Sequence, residues 1–338
     1  MKRDNSRLTE SKFEINKLLA PAALVLLIIY FSFASATFLT ARSLTLILES
    51  SYFIAFLAMG VTFAIITGGI DLSIGAVMIC SALVGGVAYG NWGFSIWTAL
   101  LVCVVTGATF GLINGILIAK AKIVPFVATL GMQMVATGFG AIISGVTTQR
   151  FPTVGTEDGI FKHVFYSYNI TIAGTSYTLP TGLFWLAGFF IIAYILLNKT
   201  RLGRYTYAIG SNEEAARLSG VNVDKWKIFV YMLGGTFAGM AGIMFAAAYT
   251  SIVPMQGPGM EILGIAAVVI GGTSLAGGVG SLTGTIIGVY IMAVLRQGLM
   301  SMGLQGHFQV FFTGIVVILA VMLDIYRNKK ASQVRKRL

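Results

Sequence analysis

The sequence predicts an all-α membrane protein that crosses the bilayer about ten times. Only 10% of its 338 residues are charged and 57% are hydrophobic, whereas soluble globular proteins contain about 25% charged residues. The apolar runs are unbroken and do not alternate with polar residues, which indicates helices and not the strands of a β-barrel. A helical bundle is expected because helices satisfy their backbone hydrogen bonds within lipid.

Ten apolar runs are candidates to cross a hydrocarbon core of about 30 Å. The first is too long for a signal peptide and ends without a clear cleavage site, so it is interpreted as a retained span. Two runs are short or interrupted by glycine, and broken helices are expected near Gly68–Asp71 and Gly257–Gly280. The predicted spans are residues 18–39, 44–67, 72–89, 95–119, 126–146, 181–198, 227–250, 260–275, 281–300 and 308–326.

Basic residues predict the orientation of these spans. All but four of the 23 Lys and Arg residues lie in segments 1–17, 120–125, 199–226 with the adjoining Lys227, and 327–338. Basic residues favour the cytoplasmic side, so both termini are predicted to be cytoplasmic. The net charge of +11 then reflects orientation and contact with anionic membrane lipid, and no nucleic-acid partner is needed. The chain divides into an N-terminal tail (1–17), a transmembrane domain (18–326) and a basic C-terminal tail (327–338).

Motifs for catalysis or nucleotide binding are absent from the sequence. There is no Gly-Lys pair and hence no P-loop, and neither H-E-x-x-H nor G-x-S-x-G occurs. Cys80 and Cys103 lie within apolar runs and predict neither a disulfide framework nor a metal site. We therefore expect a protein that is not an enzyme. The predicted external loop, residues 147–180, either packs over a pathway, docks an external partner or merely connects two spans.

Five ionisable residues fall within the predicted spans. Glu49, Arg296 and Asp324 lie near span ends and reach the interface, whereas Asp71 and Glu261 lie deeper. Such a charge at the bilayer centre costs roughly 2.5–3.5 kcal/mol on insertion scales, so it normally faces a bundle interior, a partner or water. Asp71 follows Gly68 and Gly69 in ITGGIDLSIG and is interpreted mainly as a cap of a broken helix. Substrate contact, gating and packing are the alternatives. Glu261, in the first turn after Gly259, is explained in the same way by the helix dipole.

Polar residues without charge complete the candidate set. Asn114 and Gln133 either line a pathway for a polyol or lock helices together, and locking is the favoured interpretation. Thr273 and Ser274 lie in IGGTSLAGGVG, which echoes TGGIDLSIG and indicates an internal repeat. Both motifs are predicted at the inner side, however, which does not suit an inverted repeat. The candidate pathway or helix-break residues are thus Asp71, Asn114, Gln133, Glu261, Thr273 and Ser274.

The segment GSNEEAARLSGVNVDKW, residues 210–226, is unusually polar for this chain. Ser211 and Glu214 have the spacing of a capping box, and Gly220 is placed to end a helix at the C′ position. Asp224 is predicted to cap the following span. A short helix with small residues, suited to close approach by another surface, is therefore predicted on the cytoplasmic side.

Motifs along the chain resemble those of a known family. Glu214-Ala215-Ala216 followed by Gly220 is similar to the EAA-x-x-x-G signature of ABC importer permeases. TGGIDLSIGAVM, VPFVATLGM, AARLSGVNV, EILGIAAVVIGGTSLAGGVGSLTGTIIG and FFTGIVVILAVMLD resemble the ribose and simple-sugar branch of the branched-chain-type permeases. The resemblance covers nearly the whole chain after the N-terminal tail.

The resemblance implies a transport subunit with soluble partners in the bacterial cytoplasmic (inner) membrane. It implies about ten helices, a second permease copy (identical or paralogous), an external sugar-binding protein and cytoplasmic ATP-binding subunits that hold ATP and Mg²⁺. The coupling surface carried over from the motif comprises Glu213, Glu214, Ala215, Ala216 and Gly220, within the loop 199–226. ATP-driven closure of the partner would then move the loop helices and reopen the pathway.

Two other functions remain as alternatives. Within the family, the substrate is a branched-chain amino acid or a nucleoside in place of a ribose-like sugar. In a different class, the chain is a secondary transporter that uses an ion gradient, with Asp71 and Glu261 as coupling carboxylates.

Overall fold

The computed structural model describes residues 19–172 and 175–335, which form a helical bundle. The predicted tail 1–17 and residues 336–338 of the C-terminal tail lie outside the described residues. The helices are α1 (Leu19–Ala34), α2 (Ala41–Ile66), α3 (Ile74–Gly90), α4 (Ile96–Ala119), α5 (Pro125–Ile143), α6 (Ile160–Phe165), α7 (Gly182–Lys199), α8 (Arg201–Ser211), α9 (Glu213–Leu218), α10 (Val223–Tyr249), α11 (Met260–Ile270), α12 (Leu282–Ser301) and α13 (Gly306–Arg335).

In this described part, seven helices are long and apolar enough to cross a membrane. They are α2, α4, α5, α7, α10, α12 and the Gly306–Tyr326 part of α13. Helices α1, α3 and α11 are apolar but shorter. Since α11 has 11 residues, it is about 16 Å long and covers about half of a hydrocarbon core. The predicted boundary at residue 275 is wrong, because the chain turns after Ile270 and Gly272 takes a φ of +92°.

The core is built around α2 and α10. Every residue from Ser51 to Thr67 is buried, and α10 packs extensively against both α2 and α4. Helices α5, α7 and α13 lie outside them and expose large apolar side chains such as Ile142 and Val310. An apolar outer surface of this kind suits a polytopic membrane protein, as the composition predicts.

Glycines repeated every four residues predict close helix packing, and the structure confirms it. Gly107 and Gly111 of α4 face Gly235 and Gly239 of α10. A Cβ atom added to Gly239 would lie 2.7 Å from the carbonyl oxygen of Cys103, which is closer than packed atoms tolerate. Glycine therefore permits the backbones of α4 and α10 to touch.

Short strands depart from the all-α prediction. In the predicted loop 147–180, β2 (Tyr168–Ile172) pairs antiparallel with β3 (Thr175–Leu179). Nearby, β1 (Gln149–Arg150) pairs antiparallel with β4 (Ser251–Ile252). The sequence YNITI…TSYTL is rich in aromatic and β-branched residues, which favour strands. The prediction overlooked this signal because it considered only the long apolar runs.

The bundle has two chemically different ends. The end that carries α9 also contains the C-terminus of α2 and the loop 271–281, where the Gly278 amide donates to the Ile66 carbonyl at 2.8 Å. Gly277 lies against Gly68 there, so the two echoing motifs meet. This end is called the α9 end. The opposite end carries α6 and the paired strands.

Candidate functional site

The chain breaks between α2 and α3 and places Asp71 inside the bundle. Gly68 adopts a left-handed φ of +81°, which ends α2. Asp71 is 2% exposed, and its Oδ1 accepts from the Ser73 amide at 2.9 Å and from the Ser73 hydroxyl at 2.6 Å. Ser73 occupies the N-cap position of α3. Asp71 therefore binds the N-cap residue, Ser73, through two hydrogen bonds, and is not itself the N-cap.

Asn114 extends this hydrogen-bonded chain from α4. Its Nδ2 donates to the Ser73 hydroxyl oxygen at 2.8 Å, and the residue is fully buried. Its Oδ1, like the hydroxyl of Tyr231 from α10, has no hydrogen-bond partner among the described residues. Buried polar atoms without partners are uncommon in native structures, so Asn114 and Tyr231 are candidates for a functional role.

The second break precedes α11 and places Glu261 beside the first. Gly259 occupies the N-cap position with a φ of +97°, and its amide lies 3.0 Å from both carboxylate oxygens of Glu261. The Nε2 atom of Gln133 donates to Glu261 Oε1 at 2.9 Å. Glu261 is 5% exposed, so this carboxylate is also enclosed by protein.

Helix α5 contacts both breaks through residues one turn apart. The Thr129 hydroxyl oxygen accepts from the Leu72 amide at 3.1 Å in the first break, and Gln133 binds Glu261 in the second. Thr129 was absent from the sequence-based candidates. The motif VPFVATLGM contains Thr129. A threonine in an apolar helix normally bonds the backbone of its own helix, so only the folded structure reveals the contact with the first break.

The N-termini of α3 and α11 meet at this cluster. A Cβ atom added to Gly75 would lie 2.6 Å from Glu261 Oε2, and one added to Gly257 would lie 2.7 Å from the Cα of Ala76. Helix N-termini carry partial positive charge, which stabilises the two carboxylates. We call Asp71, Ser73, Asn114, Gln133 and Glu261 the buried polar cluster; Gln133 is partly exposed and the other four residues are buried.

Thr273 and Ser274 do not join the buried polar cluster. Thr273 is fully buried in the loop 271–281, whose Gly278 packs against Ser211 of α8. The Ser274 hydroxyl lies 3.4 Å from the Asp324 carboxylate of α13, which also accepts the Leu275 amide at 3.2 Å. The structure therefore divides the candidate set between the bundle interior and the α9 end.

Helix α9 forms where a short helix was predicted, but with a different cap. The Asn212 side chain accepts from the Ala215 amide at 2.9 Å, so Asn212 is the N-cap and the predicted cap Ser211 is wrong. The reason is that α8, which was not predicted, continues through Ser211. Gly220 is confirmed at C′, with a φ of +82°.

One of the five residues that the motif implied for the coupling surface, Ala216, is buried, and the other four are at least partly exposed. Ala216 is 6% exposed and packs on Ile209 and Val223, so it faces into the chain. Glu214 and Ala215 are exposed. Leu218 is 85% exposed, which is unusual for a leucine at a polar surface and was not among the predicted site residues.

Ion pairs connect α9 to the beginning of α10 and to the loop before α5. Asp224 binds Lys122 at 2.8 Å, Arg217 at 3.4 Å and Lys120 at 3.6 Å. Glu213 pairs with Arg217 at 3.4 Å and also with Lys227. The prediction that Asp224 caps α10 is wrong, since the Asn222 side chain accepts from the Lys225 amide at 3.0 Å.

These ion pairs lower the pKa values of the Asp224 and Glu213 carboxyl groups. The hydrogen bond from Lys122 and the neighbouring positive charges lower the pKa of Asp224. Partial burial raises the pKa of Glu213, but hydrogen bonds and charges from Lys227 and Arg217 outweigh it, and the net pKa is lowered. Both groups are therefore ionised at neutral pH.

Sequence comparisons relate this chain to known transport proteins. A family described as the branched-chain amino acid transport system / permease component matches residues 43–321. The chain is 40% identical over 311 residues to the ribose import permease protein of Escherichia coli (strain K12), covering 91% of this chain and 92% of that protein.

Two further relatives show the breadth of the similarity. The fructose import permease protein of Rhizobium meliloti is 33% identical over 319 residues, which cover 93% of this chain and 88% of that protein. The L-arabinose transport system permease protein of Escherichia coli (strain K12) is 33% identical over 294 residues, which cover 87% of this chain and 85% of that protein. No solved structure matches the chain. This chain belongs to the branched-chain amino acid transport system / permease component family.

Proposed function

We propose that this chain is the membrane-spanning permease subunit of an ABC importer for a ribose-like or other simple sugar. The observation that carries the proposal is the similarity along 91% of the chain to a ribose import permease. Relatives named for fructose, xylose and L-arabinose also belong to this group. They favour a sugar over a branched-chain amino acid or nucleoside.

In this proposal, the α9 end is cytoplasmic and docks the ATP-binding subunit. Lys120, Lys122, Arg217 and Lys227 lie at this end, and basic residues favour the cytoplasm. Leu218, the exposed last residue of α9, supplies an apolar contact for that partner. The partner binds ATP and Mg²⁺, and both termini of this chain are cytoplasmic in the bacterial inner membrane.

Ten spans follow in the proposal when the shorter helices are counted. Helix α1 crosses the membrane, and α3 and α11 cross it together with the irregular segments beside them, since irregular backbone is tolerated at depth when protein surrounds it. A second permease copy completes the pathway. The sugar arrives from an external binding protein at the opposite end, where α6 and the paired strands lie.

Helix α5 is proposed as the element through which the partner acts on the bundle interior. Lys122, in the loop before α5, is paired with Asp224 beside α9, while Thr129 and Gln133 of α5 bind the two breaks. Movement of α9 would therefore displace α5 relative to α3 and α11. That displacement opens the buried polar cluster, which is the alternating-access step.

Reconstitution in proteoliposomes tests the proposed function. The permease is combined with its ATP-binding subunit and sugar-binding protein, and uptake of ribose, xylose, arabinose, fructose and leucine is measured with and without ATP. ATP-dependent uptake of a sugar is expected. Uptake by this chain alone under an ion gradient, abolished in Glu261→Gln, would establish the secondary transporter instead. Uptake of leucine only would establish the amino-acid permease.

A further inference from the structure

A cavity lined by charged, amide and apolar groups lies at the end of the bundle opposite α9. It has a volume of about 220 Å³ and lies between the beginning of α2, the ends of α10 and α12, the beginning of α13 and Tyr166. Pockets for drug-sized ligands occupy about 300–1,000 Å³, so this cavity has the size for a smaller molecule. We call it the α2–α12 cavity. It is separate from the buried polar cluster, with which it shares no residue.

Two opposite charges line the α2–α12 cavity without pairing. Glu49 is 8% exposed and accepts from the Tyr166 hydroxyl at 3.0 Å. Arg296 lies on α12 and has no ion pair or side-chain hydrogen bond with the described residues. Lys162 also exerts a positive charge on Glu49. Glu49 supplies acceptor oxygens and Arg296 supplies donors, so a ligand hydroxyl group can form charge-assisted hydrogen bonds with either residue.

Amide groups in the same cavity have unused hydrogen-bonding capacity. The Gln309 side chain is 9% exposed and makes no hydrogen bond with the part of the chain that the structure describes. The Gln297 amide nitrogen donates to the Ser43 hydroxyl oxygen at 3.1 Å, which leaves its carbonyl oxygen able to accept. These amide groups can therefore donate hydrogen bonds to a ligand in the cavity and accept hydrogen bonds from it.

Aromatic side chains supply the remaining surface. Tyr166 and Tyr249 both line the cavity, and tyrosine presents a flat apolar ring with a polar hydroxyl. A ligand that suits this lining has several groups that both donate and accept hydrogen bonds, together with an apolar face. Small polyhydroxylated molecules have these properties together.

We infer that the α2–α12 cavity is a binding site for a neutral monosaccharide, in which Glu49, Arg296 and Gln309 bind hydroxyl groups. The inference rests on the proposed function, because it assigns to the cavity the sugar that the importer receives at this end. It adds a selective step within the permease itself, before the sugar reaches the buried polar cluster. Glu49 lies near the beginning of α2, and the same helix ends at the first break.

The test uses the complete importer reconstituted with its ATP-binding subunit and sugar-binding protein. Uptake kinetics of the transported sugar are measured for wild type, Arg296→Gln, Glu49→Gln and Gln309→Ala, with Arg42→Gln as the control. Arg42 is exposed on the same helix as Glu49 and does not line the cavity. Each cavity variant is expected to lower kcat/KM for the sugar by about tenfold, with basal ATPase activity and thermal unfolding unchanged. Arg42→Gln is expected to match wild type.

Direct binding to the purified permease separates the site from the proposed function. Saturation-transfer NMR with the transported sugar should detect binding to wild type and lose it in Arg296→Gln. If wild type transports a sugar while all three cavity variants keep its kcat/KM, the inference is wrong and the proposed function stands. If wild type transports no sugar, the proposed function fails instead. A variant that no longer folds is recognised by its unfolding curve, and Gln309→Ala then decides the outcome.

Discussion

The buried polar cluster and the charged surroundings of α9 use similar residue types in opposite environments. Asp71 and Glu261 are at most 5% exposed, and each is held by specific hydrogen bonds. Glu213 and Arg217 are about half exposed and form ion pairs of 3.4 Å. A buried polar group without its partner costs about 1–3 kcal/mol, whereas an exposed ion pair contributes about 0–1 kcal/mol.

This difference separates a region that specifies the fold from a region available to a partner. The buried polar cluster is expected to tolerate little change, because Asp71 and Glu261 depend on specific hydrogen bonds with enclosed neighbours. The α9 surface tolerates substitution in the free chain, so its residues are available for recognition.

Removal of the Asp71 carboxylate should have the largest effect. Asp71→Leu leaves the Ser73 amide and hydroxyl without their acceptor, and we expect the free energy of unfolding to fall by roughly 2–5 kcal/mol. Asp71→Asn should cost clearly less, since its amide oxygen still accepts. Thermal unfolding in detergent, followed by tryptophan fluorescence, measures both. Equal melting temperatures for the two variants would contradict the role in capping.

Gln133→Leu should have an intermediate effect. Glu261 loses the donor at 2.9 Å, and the expected loss of stability is about 1–3 kcal/mol. Uptake should fall more than stability alone explains, because α5 no longer contacts the second break. Thr137→Val is the control, since Thr137 lies one turn further and its hydroxyl bonds only the Gln133 carbonyl of its own helix. Equal uptake by the two variants would argue against α5 as the link.

Asp224→Asn should reduce stability by less than about 1 kcal/mol. Because the pKa of Asp224 is lowered from its ordinary value of 3.8, its stabilising effect is present above that value and is lost as the pH falls through the lowered pKa. The melting-temperature difference between wild type and Asp224→Asn should thus be present at pH 7, shrink below pH 4 and decrease with added salt. A difference that grows in acid would contradict this assignment.

Leu218→Asp should have the smallest effect on stability and a large effect on assembly. Substitutions at exposed positions usually change stability by less than about 0.5 kcal/mol. Leu218 is 85% exposed, so its replacement uncovers little buried surface. Binding of the ATP-binding subunit, measured by pull-down or interferometry, should weaken at least tenfold. Val154→Asp, at an exposed position of the opposite end, is the control. Unchanged binding by Leu218→Asp would contradict the proposal that α9 docks the ATP-binding subunit.

The helices and the two breaks could be predicted from the sequence because lipid imposes simple rules. Apolar length predicts the spans, and Gly68 and Gly259 predict the breaks through their conformational freedom. Gly220 likewise predicts the end of α9, since the left-handed conformation at C′ favours glycine. These features depend on neighbouring residues in the chain.

The contacts that assemble the site depend on residues distant in the chain and could not be predicted in the same way. Gln133 and Glu261 are 128 positions apart, and Asn114 meets Ser73 across 41 positions. The inward direction of Ala216 depends on α8, which the composition of the loop did not indicate. Pattern reasoning therefore identified candidates but not which of them come together.

A distance measurement between α5 and α11 tests most directly whether events at α9 reach the buried polar cluster. Spin labels are placed at Met134→Cys and Ile262→Cys, both exposed positions, after the buried Cys80 and Cys103 are replaced by alanine. The pulsed-EPR distance is recorded for the complete complex without nucleotide and trapped with ATP. The account predicts a shift of the distance distribution with ATP, and no shift in Leu218→Asp. An unchanged distribution in a complex that imports sugar would contradict it.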